Sequence, residues 1–377
     1  MGIDVVKNHR IGILDGFRAI AIMLVICFHY FSRWTPELNT KNFYPYGDTL
    51  AHFIIFSHGY LGVQLFFMIS GFVISLTLLQ SKDWTDFAWK RFSRLFPSML
   101  LCSILIYVLI DLLPLHEFPK LARNFLPSLT FTDPVIWSRF FGEKFSGMDG
   151  AYWSLFIEVK FYFWICVLFF LSGGPLRFLP NLIIGFSIIE TLNVFGLVLN
   201  FPHLVSYLDF IFISQYLTWF MAGIGFYFLY IEGKKLFAYW LIVESGVILL
   251  LDYFLQSHGD PIELVFATIF YLLFMIFIFR PKWIALFAWK PLTLIGSASY
   301  SLYLLHQDLG VTLIATLGRY LPSSAKSSSA FIAIGVIIGM TFFSLLIYRH
   351  WEMPAKRFIL SWQPRKTELA PAQIEID

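Results

Sequence analysis

Apolar stretches of about 20 residues recur along this chain, long enough at about 1.5 Å per helical residue to cross roughly 30 Å of hydrocarbon. A soluble core does not need so many unbroken runs, and a membrane barrel would alternate apolar and polar residues instead. The runs predict an all-α, polytopic transmembrane helical bundle of about ten spans, near residues 11–31, 58–79, 95–115, 151–172, 180–200, 208–230, 236–255, 262–280, 292–316 and 329–348. Composition agrees, since 58% of the 377 residues are hydrophobic and only 14% are charged, against about 25% charged in ordinary soluble domains. The net charge of +3 leaves no footprint for a nucleic acid partner. Cys27, Cys102 and Cys166 each lie inside an apolar run without paired spacing, so neither a disulfide nor a zinc framework is expected.

The basic residues orient these spans. With a cytoplasmic N-terminus, 17 of the 27 Lys and Arg fall in cytoplasmic segments and eight in exterior loops, so both termini are expected in the cytoplasm. The first run lacks a small-x-small cleavage site and reads as a span, not a signal peptide. The longest exterior loop, 116–150, is rich in Pro, Phe and Trp and can cover a site. No repeat or linker marks a second unit, so residues 1–377 read as a single membrane-embedded domain with a short cytoplasmic tail, 359–377.

An ionisable side chain near the bilayer centre costs at least about 2.5–3.5 kcal/mol on insertion scales, so it normally faces a partner or a cavity. In the first span Asp15 and Arg18 precede His29. Eleven residues separate Arg18 from His29, close to three full turns, which sets both on one face about 16 Å apart along the axis. Snorkelling of the arginine and an interfacial imidazole explain the same pattern. Gly59, Gly62, Ser70 and Gly71 in the second span read as packing residues, and Gln64 as a hydrogen-bonding group within the bundle. Arg91 and Arg94, three apart at the start of the third span, suit a phosphate-bearing ligand or ordinary cytoplasmic charge.

Glu158 lies about two turns into the fourth span, and Lys160, two residues on, points to a different face. If the two helices are neighbours, Glu158 can meet His29 and raise its basicity, as a general base requires. In the ninth span Ser299, Tyr303 and His306 form a polar stripe that lines a cavity or a helix seam. Arg349, His350 and Glu352 read as a charged cytoplasmic helix end.

Assembled in order, these residues resemble the acyltransferase-3 family of integral membrane acyltransferases from about Gly12 to Arg357. The likeness rests on Asp15, Arg18 and His29; Gly62-Val63 with Phe66-Phe67 and Ser70-Gly71-Phe72; Arg91-x-x-Arg94 with Pro97; Trp153-Ser154-Leu155 with Glu158, Phe161 and Tyr162; Ser299-Tyr300-Ser301 with Tyr303 and His306; and Glu352-x-Pro354. It implies O-acylation, usually acetylation, of a hydroxyl on an extracytoplasmic carbohydrate or lipid-linked glycan, with cytoplasmic acyl-CoA as co-substrate and no tightly bound cofactor or metal. It also implies a place in a bacterial cytoplasmic (inner) membrane, among membrane lipids. Carried over by position, it makes His29 and Glu158 catalytic and Arg18, Arg91 and Arg94 donor-binding, with Asp15, Ser299, Tyr303 and His306 lining the cavity. Gln64 stands where many relatives carry Asp, and no hydrolase-like C-terminal domain is present in this sequence.

Two other readings use the same residues. A transporter of lipid-linked sugars or small solutes would line a path with them, usually with repeat symmetry or paired broken helices, and neither is evident. A structural subunit would use them only to join helices, which clustering around a cavity would oppose. No GxSxG, P-loop or HExxH pattern occurs.

Overall fold

Most expected spans fold as helices close to their hydropathy limits, because in lipid a helix satisfies its backbone groups within its own segment. In chain order they are α1 (Gly12–Phe31), α2 (Gly62–Leu79), α3 (Trp84–Leu112), α4 (Trp153–Leu171), α5 (Pro175–Val198), α6 (Pro202–Phe212) and α7 (Ser214–Tyr230). They continue with α8 (Lys235–Leu255), α9 (Pro261–Phe279), α10 (Lys290–Ser297), α11 (Ser299–Leu305), α12 (Asp308–Arg319), α13 (Ala330–Ile347) and α14 (Met353–Ser361). The computed structural model describes residues 12–35, 43–113, 118–231, 235–255, 260–322 and 329–362, and it contains no strand among them. Lys7, Arg10, Lys41, Lys234, Lys326, the beginning of the 116–150 loop and the tail beyond Trp362 lie outside these residues, as do both termini.

Among the described residues, eight helices are long and apolar enough to cross a membrane, or nine if the bent pair α6–α7 counts as one span. That pair turns by 44° at Ile213, whose φ of +56° is costly for a β-branched residue. The expected span over 292–316 is instead three short helices, α10 to α12, with breaks at Ala298 and at His306-Gln307. The second break has a visible cause: the Asp308 N–H leaves the helical ladder and donates to Asp149 Oδ2 at 2.9 Å. Such irregular backbone is tolerated at membrane depth when protein surrounds it. Helix α3 begins eleven residues before the expected span, where Asp83 caps it by accepting the Asp86 N–H at 2.8 Å.

Large apolar side chains such as Phe163, Leu171, Ile338 and Phe342 remain exposed on the outer faces, as lipid contact requires. Inside, α1 is the central element, with Phe17, Ala21, Ile22, Val25 and Ile26 fully buried. Glycines set the spacing around it. A Cβ at Gly62 would stand 2.4 Å from the Ala21 carbonyl, and Cβ atoms at Gly71 and Gly223 would stand 2.1 and 2.0 Å from the Phe220 and Met68 carbonyls. The packing role expected of Gly62 and Gly71 therefore holds, and it brings α1, α2 and α7 to backbone contact. Ser70 does something else.

Candidate functional site

Helix α1 runs without interruption from Arg18 to His29 and presents the two side chains to different cavities. The narrower, about 70 Å³, is lined by Arg18, Arg91, Arg94, Glu158, Ser70 and Tyr162, together with Ser154, Ser299 and Tyr303. The wider, about 600 Å³, is lined by His29, Arg33, Gln64, Trp153, Asp252, Glu263 and Gln307, among others. Val63 and Tyr303 line both. The two chambers thus share a wall made by α2 and α11, with α1 running alongside both.

In the narrow chamber the cations are held in place. Arg18 Nη1 pairs with Asp15 Oδ1 at 2.9 Å, and Asp15 is only 2% exposed. The wall is therefore Arg18, with Asp15 as its anchor. Arg91 donates to the Val73 carbonyl at 3.3 Å and to Thr77 Oγ1, and its guanidinium lies 5.1 Å from the Tyr162 ring centroid. Arg94, one turn further along α3, reaches the same chamber. Three guanidiniums converging from two helices suit a ligand with several anionic oxygens.

Glu158 belongs to this chamber. Its Oε1 accepts the Ser70 and Tyr162 hydroxyls, each at 2.5 Å. The expected Glu158–His29 pairing does not occur, because α4 turns the carboxylate towards α2 and α3 and not towards the exterior part of α1. Lys160 does point elsewhere, as its two-residue offset predicts, donating to the Phe210 carbonyl at 3.0 Å and lying 3.6 Å from Asp133. Ser299 and Tyr303 line the chamber.

His29 has a different companion. His306 is fully buried, and its Nε2 lies 3.3 Å from His29 Nδ1. Each imidazole also has a backbone carbonyl beside Nδ1: Val25 at 2.9 Å for His29 and Tyr303 at 2.7 Å for His306. A carbonyl only accepts, so both rings are assigned as Nδ1–H tautomers. That leaves His29 Nε2 unprotonated on a ring that lines the wide chamber, an arrangement suited to a general base. The His306 carbonyl accepts the Tyr30 hydroxyl at 2.9 Å, which fixes α11 against α1.

Two buried polar clusters escaped the sequence reading. Glu352, expected at a charged helix end, is 8% exposed and accepts the Ser98 and Ser301 hydroxyls at 3.0 and 2.9 Å. A π-helical turn over Tyr348–Glu352 swings it inward. The other cluster ties the 118–150 loop to the break before α12: Lys120 pairs with Asp308 Oδ2, and Gly150 N–H donates to the same oxygen at 3.2 Å. Burial pushes the Asp149 carboxyl well above the ordinary value and Asp308 adds to the effect, against an opposing pull from Lys120. The signal for this cluster was a pair of acidic residues next to apolar runs, but their pairing needs the fold. Of this long loop, Gly150 at its end reaches the wide chamber.

Residues 11–349 match the family described as an acyltransferase domain. The O-acetyltransferase OatA of Staphylococcus aureus is 27% identical over 332 residues, covering 78% of this chain and 50% of its own length. Another Staphylococcus aureus relative, from strain COL and also named for O-acetyltransferase activity, is 26% identical over 93% of this chain and 58% of its own. An O-acetyl transferase of Shigella phage Sf6 is 30% identical over 164 residues, 41% of this chain and 44% of its own. The chain thus spans little more than half the length of the Staphylococcus relatives that cover most of it. No solved structure matches it. The helical bundle, the ordered motifs and the match over nearly the whole chain together make this protein a member of the acyltransferase-3 family of integral membrane acyltransferases.

Proposed function

We propose that the protein is a membrane O-acyltransferase of a bacterial cytoplasmic membrane, moving an acetyl group from cytoplasmic acetyl-CoA to a hydroxyl of an extracytoplasmic carbohydrate or lipid-linked glycan. The observation that carries this reading is the division of one helix between two adjoining chambers, with Arg18 in the first and His29 in the second. The names of the relatives support O-acetylation.

The narrow chamber is far smaller than the 300–1,000 Å³ typical of ligand pockets. The donor's nucleotide therefore stays at its mouth, where Arg18, Arg91 and Arg94 draw in the phosphates, and the extended pantetheine arm enters. About 16 Å of helix separates Arg18 from His29, a reach suited to that arm. At its end the thioester carbon comes beside His29, and the acceptor hydroxyl approaches from the wide chamber.

His29 Nε2 takes the proton of the acceptor hydroxyl while the oxygen attacks the thioester carbon. The tetrahedral intermediate collapses with cleavage of the C–S bond, and the imidazolium returns its proton to the departing thiolate. An ester and free coenzyme A result, with no net proton change. His306, out of reach of solvent, acts as a positioning residue by holding the His29 ring. Glu158 serves the donor chamber: through Ser70 and Tyr162 it fixes the wall against which Arg91 lies.

The test uses inside-out membrane vesicles supplied with labelled acetyl-CoA and glycan from the host. Label should reach the lumenal glycan with the native protein and fall to background with His29→Ala. Equal labelling by both proteins would overturn the catalytic role of His29. A protein that neither transfers label nor binds acetyl-CoA would be better read as a transporter.

A further inference from the structure

The arginines line one chamber and His29 the other, so any group passing between them must leave the first chamber for the second. Val63 of α2 and Tyr303 of α11 are the two residues that line both cavities. Tyr303 is held at both ends. Its hydroxyl lies 2.7 Å from Ser154 Oγ and donates to the Ala151 carbonyl at 3.0 Å, while its own carbonyl accepts the His306 Nδ1–H at 2.7 Å. Its ring packs edge-on against Phe66 at 6.0 Å and lies 5.3 Å from the His306 ring. The side chain is 6% exposed. A ring so tethered cannot swing aside without breaking two buried hydrogen bonds, each costly to leave unmade.

From this geometry we infer that Tyr303 and Val63 form a fixed filter that selects the length of the transferred acyl group. The inference rests on the reading of the protein as an acyl-CoA-dependent transferase and adds to it the property that decides between acyl donors. A thioester arm is thin along its length, but the acyl tip must lie between the Tyr303 ring and the Val63 methyls to present its carbonyl to His29. An acetyl tip adds one methyl beyond the carbonyl carbon, and a butyryl tip adds two further methylenes. Discrimination of about 10–200-fold per methylene is what an apolar constriction can supply. The same tethering couples the filter to the base, since the residue that bounds the passage also holds the imidazole that supports His29.

The experiment measures kcat/KM for acetyl-CoA and butyryl-CoA with purified protein in lipid nanodiscs, using one glycan acceptor throughout. The native protein should favour acetyl-CoA. Tyr303→Ala should raise the butyryl-to-acetyl ratio by at least about tenfold, and Tyr303→Phe, which keeps the ring, should raise it much less. Val63→Ala widens the passage from the opposite side without touching any hydrogen bond, so it covers the case in which Tyr303→Ala fails to fold. It should shift the ratio in the same direction. A native-like ratio in an active Tyr303→Ala, or in Val63→Ala where Tyr303→Ala is inactive, would overturn the filter while leaving the transferase reading intact. A native protein that transfers no acyl group from either donor and binds neither would instead overturn the transferase reading itself.

Discussion

The two histidines show what a single proton position decides. With Nδ1–H of His29 directed at the Val25 carbonyl, the basic nitrogen is Nε2, and no carboxylate is needed to set the tautomer. Glu158 instead faces the narrow chamber, where it accepts two buried hydroxyls. Removing it in Glu158→Ala leaves those donors unsatisfied, a cost of about 1–3 kcal/mol, and loosens the Tyr162 ring beside Arg91. The expected outcome in steady-state kinetics is a rise of roughly tenfold in KM for acetyl-CoA, with the pH profile of kcat unchanged. A shifted pH limb would instead point to direct contact between Glu158 and His29. Sequence reading anticipated Arg18 and His29 on one face because both belong to one uninterrupted helix, whose periodicity fixes their relation. It misplaced the partner of Glu158 because that depends on which neighbour α4 faces, and nothing local to α4 encodes it.

Helix limits followed from hydropathy because the bilayer imposes the same length on every span, but the interruptions did not, since their causes lie in other segments. The break before α12 is made by Asp149 and stabilised by Lys120, both far from it in sequence. Lys120 and Asp308 are 8% and 4% exposed, and breaking a buried pair by removing one partner typically costs 3–5 kcal/mol. Lys120→Met should lower the thermal unfolding temperature in detergent accordingly, and an unchanged temperature would show that the loop does not anchor α12. The same cluster gives the fold a pH dependence. Asp149 titrates higher when folded than the ordinary 3.8, so above that value the folded state holds more protons than the unfolded one. Its contribution to stability is then greatest at low pH and is lost as pH rises towards the raised value. Asp149→Asn should flatten that slope in unfolding curves taken at successive pH values. Glycine contacts act at this scale as well: Gly223→Ala places a methyl 2.0 Å from the Met68 carbonyl, a backbone atom that cannot step aside. Overpacking of this kind costs about 1–3 kcal/mol, and the variant should show an earlier unfolding midpoint with the donor KM little changed.

At the scale of the whole molecule, the bundle holds two chambers of unequal size, and Val63 and Tyr303 line both. If the arginines recognise phosphates at the mouth of the narrow chamber, they contribute to binding only when the donor carries phosphates. S-acetylpantetheine, which has the thioester arm and no nucleotide, should therefore be a poorer donor for the native protein than acetyl-CoA. Charge-assisted hydrogen bonds contribute about 1.5–3 kcal/mol each, so Arg91→Ala and Arg94→Ala should each raise KM for acetyl-CoA by roughly 10- to 100-fold. KM for S-acetylpantetheine should stay close to native in both variants, so that the difference between the two donors narrows. The comparison separates phosphate recognition from a general loss of the chamber's shape, because a distorted chamber would penalise both donors alike. It also bears on sidedness. In sealed vesicles of known orientation, acetyl-CoA should serve only from the face on which α3 presents its arginine pair, while the acceptor is consumed on the other. Equal use of acetyl-CoA from both faces would mean that the two chambers do not divide the substrates across the membrane.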